Sequence, residues 1–186
     1  MSSPSLTRAF ATRCLEGWER LYQHRHQLQP VGPLLFVGFR QYTGIERRFP
    51  DATTLVRGDR VGTLHFNNAR IASLGLGQGR HATAWQFTRL LRESLEALAI
   101  FSVTSDAQSV AVYEGTTWMQ SHGFKVGFVT EPLAQGWRAQ LLRLHFRVLR
   151  ACFAPADFRT RSAAIAPRNF WITRSQLQTN FGQACQ

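Results

Sequence analysis

The sequence predicts a single α+β, or mixed α/β, domain in which helices cover a largely antiparallel sheet. Segments of strand length, apolar or alternating, are interleaved with longer segments of helical periodicity. Of the 186 residues, 44% are hydrophobic and only 18% are charged, so the chain can bury a substantial core. Because each amphipathic element must bury its apolar side against another, this order of elements indicates a layered domain.

The N-terminal residues 1–30 are predicted to contribute a helix that packs on an α/β domain formed by residues 31–186. The helix is expected over residues 5–27, where apolar positions recur at the spacing of one helical face. These positions are Phe10, Cys14, Trp18 and Leu21. Pro30 and the residues after it are expected to end the helix.

Three strands are expected next, over residues 34–42, 53–56 and 58–68. The first is strongly apolar, the second is short, and a Gly58-Asp59 turn opens the third. Strands in series with short connections predict a meander.

The third strand alternates between two kinds of side chain. One face carries Gly62, Leu64, Phe66 and Asn68, and the other carries Val61, Thr63, His65 and Asn67. The face with Leu64 and Phe66 is expected to point into the core. The polar row on the other face indicates a binding surface, a buried polar network or a solvated strand face, and these alternatives stay open.

The second half of the chain alternates helices and strands. The predicted elements are a glycine-rich loop at 73–80, a helix over 82–99, strands at 110–118 and 124–129, a basic helix ending at Phe153, a strand at 170–173 and a helix at 176–181 capped by Ser175.

Several segments, taken together, resemble the YkoP-like domain, which occurs alone or at the carboxyl end of bacterial polysaccharide deacetylases. They are Gly58-Asp59-x-Val61-x-x-Leu64-His65-x-x-Asn68, then Gly115-Thr116-Thr117 with His122-Gly123-Phe124-Lys125-Val126, and Trp171-Ile172-Thr173-Arg174-Ser175-x-Leu177 through Phe181-Gly182. The resemblance implies an accessory or ligand-binding role in bacterial cell-envelope polysaccharide metabolism. Deacetylase activity is not expected, since the chain has no room for the deacetylase barrel and no HxxxH motif.

A second resemblance is to the GNAT acyltransferases. The glycine-rich loop before a helix and the later Gly123-Phe124 pair resemble the elements that bind coenzyme A in that family. A helix N-terminus attracts phosphate through its spare N–H groups, and Arg80 would add charge. The resemblance implies a GNAT-like fold and, as an alternative function, N-acyl transfer from acetyl-coenzyme A; otherwise no cofactor is expected.

The residues expected to form a site lie mostly on the third strand. His65 and Glu114 are candidates for a catalytic base and the group that orients it, if their strands are neighbours; a structural contact is the alternative. The predicted ligand-binding residues are Asp59, Thr63, His65, Asn67, Asn68 and Arg80. Asp59 also suits a turn, where its carboxylate would accept local backbone N–H groups. No metal site is expected, because His24 and His26 lack the spacing that puts two rings on one helix face.

The charge balance points to anionic partners. The chain has 22 basic and 11 acidic residues, and Lys125 is its only lysine. Arg143, Arg147 and Arg150 are expected on one face of the basic helix, either as a contact for an anionic membrane or polymer or as a solvated outer face.

The expected partners are therefore an anionic or glycan ligand and, peripherally, an anionic membrane. Sequence-specific nucleic-acid binding is not expected, since no known binding motif is visible. The N-terminus has no apolar signal region, and the odd, widely spaced cysteines do not predict disulfides. The expected location is the cytoplasm, with peripheral membrane contact as an option.

Overall fold

The computed structural model describes residue 17 and residues 19–74, 80–117, 127–133, 136–137, 139–144, 147 and 167–182. The strands are β1 Gln29–Val31, β2 Leu35–Gln41, β3 Arg47–Arg48, β4 Thr54–Leu55, β5 Arg60–Phe66, β6 Val112–Thr117, β7 Val129–Pro132 and β8 Arg168–Thr173. The helices are α1 Asn68–Leu74, α2 Arg80–Phe101 and α3 Arg174–Phe181. Residues 19–25 and the described residues between 137 and 147 are also helical.

Six strands form one mixed sheet in the order β1-β2-β5-β6-β8-β7. Its neighbours are antiparallel except for β5 and β6, which run parallel over Gly62–Leu64 and Tyr113–Gly115. A parallel pair needs a long crossover, and α1 and α2 supply it. The predicted α+β class with a largely antiparallel sheet is confirmed.

One face of the sheet forms the main core with α2 and α3. The largest buried cluster joins strand residues to helix residues: Val31, Leu35, Val37, Leu64, Leu95, Leu98, Ala99, Val110, Tyr113, Phe170, Ile172, Leu177 and Phe181. Leu64 lies in this cluster and Phe66 packs against it, as the alternation of β5 predicts. The packing is close: a Cβ at Gly115 would lie 2.3 Å from the Phe170 ring.

The predicted meander is wrong. β2 pairs directly with β5 along its whole length, while β3 and β4 form a separate two-stranded sheet. Two backbone hydrogen bonds between Tyr42 and the Gly58-Asp59 turn close the intervening excursion. The excursion brings Phe49 and Leu55 into a second buried cluster with Val61, Val112, Tyr42 and Trp171 on the other face of the sheet.

Besides β3, two short elements were not predicted. β1 contains Pro30 and lies at the sheet edge, the position where a residue without an N–H is tolerated. α1 begins after Asn67, whose side-chain oxygen accepts a hydrogen bond from the Arg70 N–H at 2.9 Å. It extends to Leu74, so residues 73 and 74, which were predicted to lie in a loop, are helical.

The carboxyl-terminal elements shift by a few residues. Thr173, and not Ser175, caps α3 through a reciprocal capping box with Gln176. β7 covers Val129–Pro132, at the end of the strand predicted for 124–129, and residues 124–126 lie outside the described part. Within the described part, no helix is long and apolar enough to cross a bilayer.

Candidate functional site

The sheet face opposite α2 carries a group of polar side chains that we call the polar strip. Strand register sets it up: Thr63 lies opposite Glu114, Glu114 opposite Trp171, and Thr116 opposite Asn169. β2 contributes Arg40, the β3–β4 hairpin contributes Arg47, and β7 contributes Glu131. The polar strip thus comprises Arg40, Arg47, Thr63, Glu114, Thr116, Glu131, Asn169 and Trp171.

Arg40 and Glu114 form the first ion pair of the strip. The Arg40 Nε donates to Glu114 Oε1 at 2.6 Å, and the Arg40 side chain is 42% exposed while that of Glu114 is 14% exposed. Burial raises the pKa of Glu114, and the positive charges of Arg40 and Arg47 oppose that rise. The carboxylate is therefore partly desolvated but held by two guanidinium groups, one in contact and one nearby.

Arg47 and Glu131 form the second ion pair, in which Arg47 Nη1 donates to Glu131 Oε1. The Arg47 guanidinium also lies over the Trp171 ring, 4.7 Å from its centroid. Desolvation lowers the pKa of Arg47, but its contacts with Glu131 and Tyr42 outweigh this and raise it overall. The hairpin thus places a fixed cation between a tryptophan and two carboxylates.

Two N–H donors of the polar strip have no acceptor among the residues that the structure describes. Arg47 Nε and Trp171 Nε1 are buried, and neither has a hydrogen-bond partner in the part of the chain that the structure describes. A buried donor without an acceptor costs free energy, so such groups call for an explanation. Arg47 is paired with Glu131, Trp171 lies opposite Glu114 in the strand register, and Thr116 and Asn169 form a hydrogen bond of 2.9 Å in the same strip. The strip therefore offers both donors and acceptors to a ligand.

His65 lies beyond the strip, under the N-terminal helical segment. Its ring packs edge-on against Tyr22 at 5.3 Å between centroids, and Tyr22 in turn contacts His26 at 4.2 Å. Burial, with the charge of His26, lowers the pKa of His65 to about 4. His65 is thus neutral at neutral pH.

The structure makes β5 and β6 neighbours, but it does not join His65 to Glu114. The Glu114 carboxylate is bonded to Arg40, and the His65 ring contacts Tyr22. A base needs a hydrogen bond to the group that orients it, and these two side chains do not form one. The catalytic role of either residue stays a prediction.

Three predicted ligand-binding residues make local structural contacts. Asp59 accepts the Val56 N–H at 2.8 Å within the turn, and Asn67 caps α1. Asn68 donates from its side chain to Glu19 at 2.9 Å, which ties the start of α1 to the N-terminal helical segment. A ligand-binding role for these three stays a prediction.

The other predicted contacts are only partly described. Arg80 is the first residue of α2, and residues 75–79 of the glycine-rich loop lie outside the described part. Arg143 and Arg147 are exposed on the helical segment, and Arg150 lies outside the described residues. Among described residues, no group of three or more His, Cys, Asp or Glu side chains could hold a metal ion.

Sequence reasoning missed most of the polar strip. Arg40, Arg47 and Glu131 come from segments far apart in the chain, and Arg40 and Glu114 are separated by 74 residues. One signal was available: Arg40 and Glu114 each interrupt a strand with a charge, and a charge in a strand indicates either solvent or a partner. The partner itself could be identified only from the strand order.

Comparison with known proteins gives one finding. The family model described as the YkoP domain matches residues 8–181, which is nearly the whole chain. No curated protein and no solved structure matches. The resemblance to GNAT acyltransferases is therefore not supported.

Proposed function

The chain belongs to the YkoP domain family, and we propose that it is a glycan-binding domain with an accessory role in bacterial cell-envelope polysaccharide metabolism. Its ligand lies along the polar strip, and no reaction is assigned to the domain. The envelope role is what the sequence resemblance implies, and the polar strip is the site that we propose for the ligand.

The observation that carries this proposal is the pair of buried, unsatisfied donors, Arg47 Nε and Trp171 Nε1. Both donors belong to the polar strip, whose other members are exposed or half-buried, and in this proposal an oxygen atom of the bound ligand satisfies them. Sugar hydroxyls donate and accept at the same time. They can therefore bond to these donors and to the carboxylates of Glu114 and Glu131.

Charge favours a neutral glycan over a polyanion at this site. Each arginine of the strip already has a glutamate partner, at Glu114 and at Glu131. An anionic ligand would have to displace or repel those carboxylates, which costs free energy. A hydroxyl-rich ligand can join the existing ion pairs without breaking them.

Isothermal titration with peptidoglycan fragments and N-acetylglucosamine oligomers tests the proposal. For the neutral N-acetylglucosamine oligomers we expect saturable binding that changes little with salt, because no net charge is neutralised. Glu114→Gln should weaken binding roughly tenfold, the value of about one hydrogen bond to a charged group. The matched control is Arg48→Gln, which breaks the exposed Arg48–Glu46 pair. Arg48 lies next to Arg47 in the β3–β4 hairpin, and this variant should bind the glycan with the affinity of the wild type.

Two further titrations separate this proposal from other functions. A teichoic-type polyanion that binds more tightly than the neutral oligomers would contradict the charge argument. Acetyl-coenzyme A tests the acyltransferase alternative, since a native-state ligand at a hundredfold excess over its dissociation constant adds about 2.7 kcal/mol to the free energy of unfolding. No binding of any glycan to the wild-type protein would overturn the proposal.

A further inference from the structure

A second surface, away from the sheet, consists of exposed apolar residues on the helical segment between 137 and 147. Trp137 is 67% exposed, Leu141 56% and Leu144 57%. These positions are i, i+4 and i+7, which lie along one face of a helix. Ala139, which is 5% exposed, lies on the opposite side and is where the segment is buried against the protein. We call Trp137, Leu141 and Leu144 the apolar stripe.

Positive charge borders the apolar stripe. Arg143 and Arg147 are four residues apart and both exposed, so they share one side of the helix. Residues 132–156 of the sequence contain no aspartate or glutamate. The segment therefore cannot neutralise its own arginines, in a chain whose formal charge is +11.

The outer face of α2 shows that an exposed tryptophan alone does not make such a surface. Trp85 is 66% exposed. However, the arginines near it are paired along the helix, Arg89 with Glu93 at 3.4 Å and Arg92 with Glu96 at 2.9 Å. That face is close to neutral and carries no leucine stripe.

We propose that the described helical residues between 137 and 147 form a membrane-docking surface that lies on an anionic lipid bilayer. The apolar stripe enters the boundary between headgroups and acyl chains, and Arg143 and Arg147 contact the acidic headgroups. Tryptophan at the start of the segment suits this depth, because its ring is apolar and its N–H is polar. The inference goes beyond glycan binding and does not depend on it.

Charge complementarity selects lipid over the other possible occupants. A purely polyanionic partner would use the arginines but would leave two leucines and a tryptophan in water. A second copy of this chain would bring like charges together, since each copy has the same net positive charge. An anionic bilayer satisfies both components of the surface at once.

Vesicle co-sedimentation with the full chain tests the inference. We expect binding to vesicles of phosphatidylglycerol and phosphatidylcholine, and much weaker binding to phosphatidylcholine alone. Leu141→Gln combined with Leu144→Gln should weaken partitioning by roughly tenfold or more. Arg143→Gln and Arg147→Gln should each weaken it by roughly fivefold, and high salt should mimic their effect.

The matched control is Trp85→Ala on α2, which should bind vesicles like the wild type, whereas Trp137→Ala should bind less. All substituted positions are exposed, so circular dichroism and thermal unfolding should show intact folds. If the leucine variants bind vesicles as well as the wild type does, the contact consists only of charge attraction and the inference is overturned. It is also overturned if the leucine variants change only the oligomeric state in the absence of lipid, since the stripe would then join copies of the chain.

Discussion

The two faces of the six-stranded sheet come from alternate residues of the same strands, yet they are closed in different ways. On the helix side, Val37, Leu64 and Ile172 are each at most 4% exposed. On the other side, apolar residues under the β3–β4 hairpin give way to the Arg40–Glu114 pair. Alternation decides which face a residue joins, but the element that covers the face decides whether it becomes core or site.

The largest effect is expected on the helix side. Leu98 of α2 is fully buried in the main cluster, so Leu98→Ala should lower the free energy of unfolding by about 2–5 kcal/mol through lost burial and a cavity. Urea unfolding measures this. Glycan affinity of the folded protein should not change, since Leu98 lies on the opposite side from the strip. A loss below about 0.5 kcal/mol would mean that α2 does not close the core as described.

The next effect concerns His65 and pH. Burial lowers the pKa of His65 from 6.5 to about 4, so the folded state binds fewer protons than the unfolded state. The contribution of neutral His65 to the free energy of unfolding is therefore fully present above the unfolded-state pKa and is lost as pH falls toward the folded-state pKa. Between neutral pH and pH 5 the expected loss is roughly 2 kcal/mol.

His65→Gln isolates that contribution. The variant should lose less stability than the wild type over the same pH interval, as measured by urea unfolding at each pH. Parallel curves for the two proteins would show that His65 is solvated and that the N-terminal helical segment does not cover it.

A smaller effect of opposite sign is expected at Glu114. Burial raises the pKa of this carboxyl, so the folded state binds a proton at Glu114 more readily than the unfolded state does. The stabilisation that results is fully present below the unfolded-state pKa of 4.5 and is lost as pH rises through the folded-state pKa. Relative to Glu114→Gln, the wild type should therefore become less stable from acid to neutral pH. Thermal unfolding across that range checks the sign, and an increase of wild-type stability over the variant would refute it.

The smallest effect is expected at the exposed Arg48–Glu46 pair, whose side chains are 80% and 53% exposed. Arg48→Gln should change the free energy of unfolding by less than about 0.5 kcal/mol. A larger change would show that the hairpin depends on charges outside the polar strip.

Local sequence patterns predicted the parts of this fold that depend on local spacing. Alternation placed Leu64 in the core, and apolar runs located β2, β6 and β8. The meander failed because nothing in residues 42–59 shows that β3 and β4 leave the sheet. That departure depends on where Phe49 and Leu55 find apolar partners, which is a tertiary property.

The site was harder to predict than the fold. Thr63, His65 and Glu114 were identified from strand positions. His65 was one candidate partner of Glu114, and the partner observed in the structure is Arg40. Strand order determines that partner. Because β2 pairs directly with β5, Arg40 on β2 is separated from Glu114 on β6 by one strand only, whereas the predicted meander would have put another strand between β2 and β5. Sequence analysis identified Trp171 only as part of the segment that resembles the YkoP-like domain, because a buried N–H without an acceptor can be recognised only from the three-dimensional structure.

The most direct test of the central claim is the indole N–H signal of Trp171 in a ¹H–¹⁵N correlation spectrum, assigned with Trp171→Phe, during titration with N-acetylglucosamine oligomers. If the polar strip binds the glycan, the Trp171 signal should shift and saturate with the binding isotherm, because its unsatisfied Nε1–H gains an acceptor. The exposed indoles of Trp85 and Trp137 should stay in place. A glycan that binds while the Trp171 signal does not move, or that moves only the exposed indoles, would contradict the account.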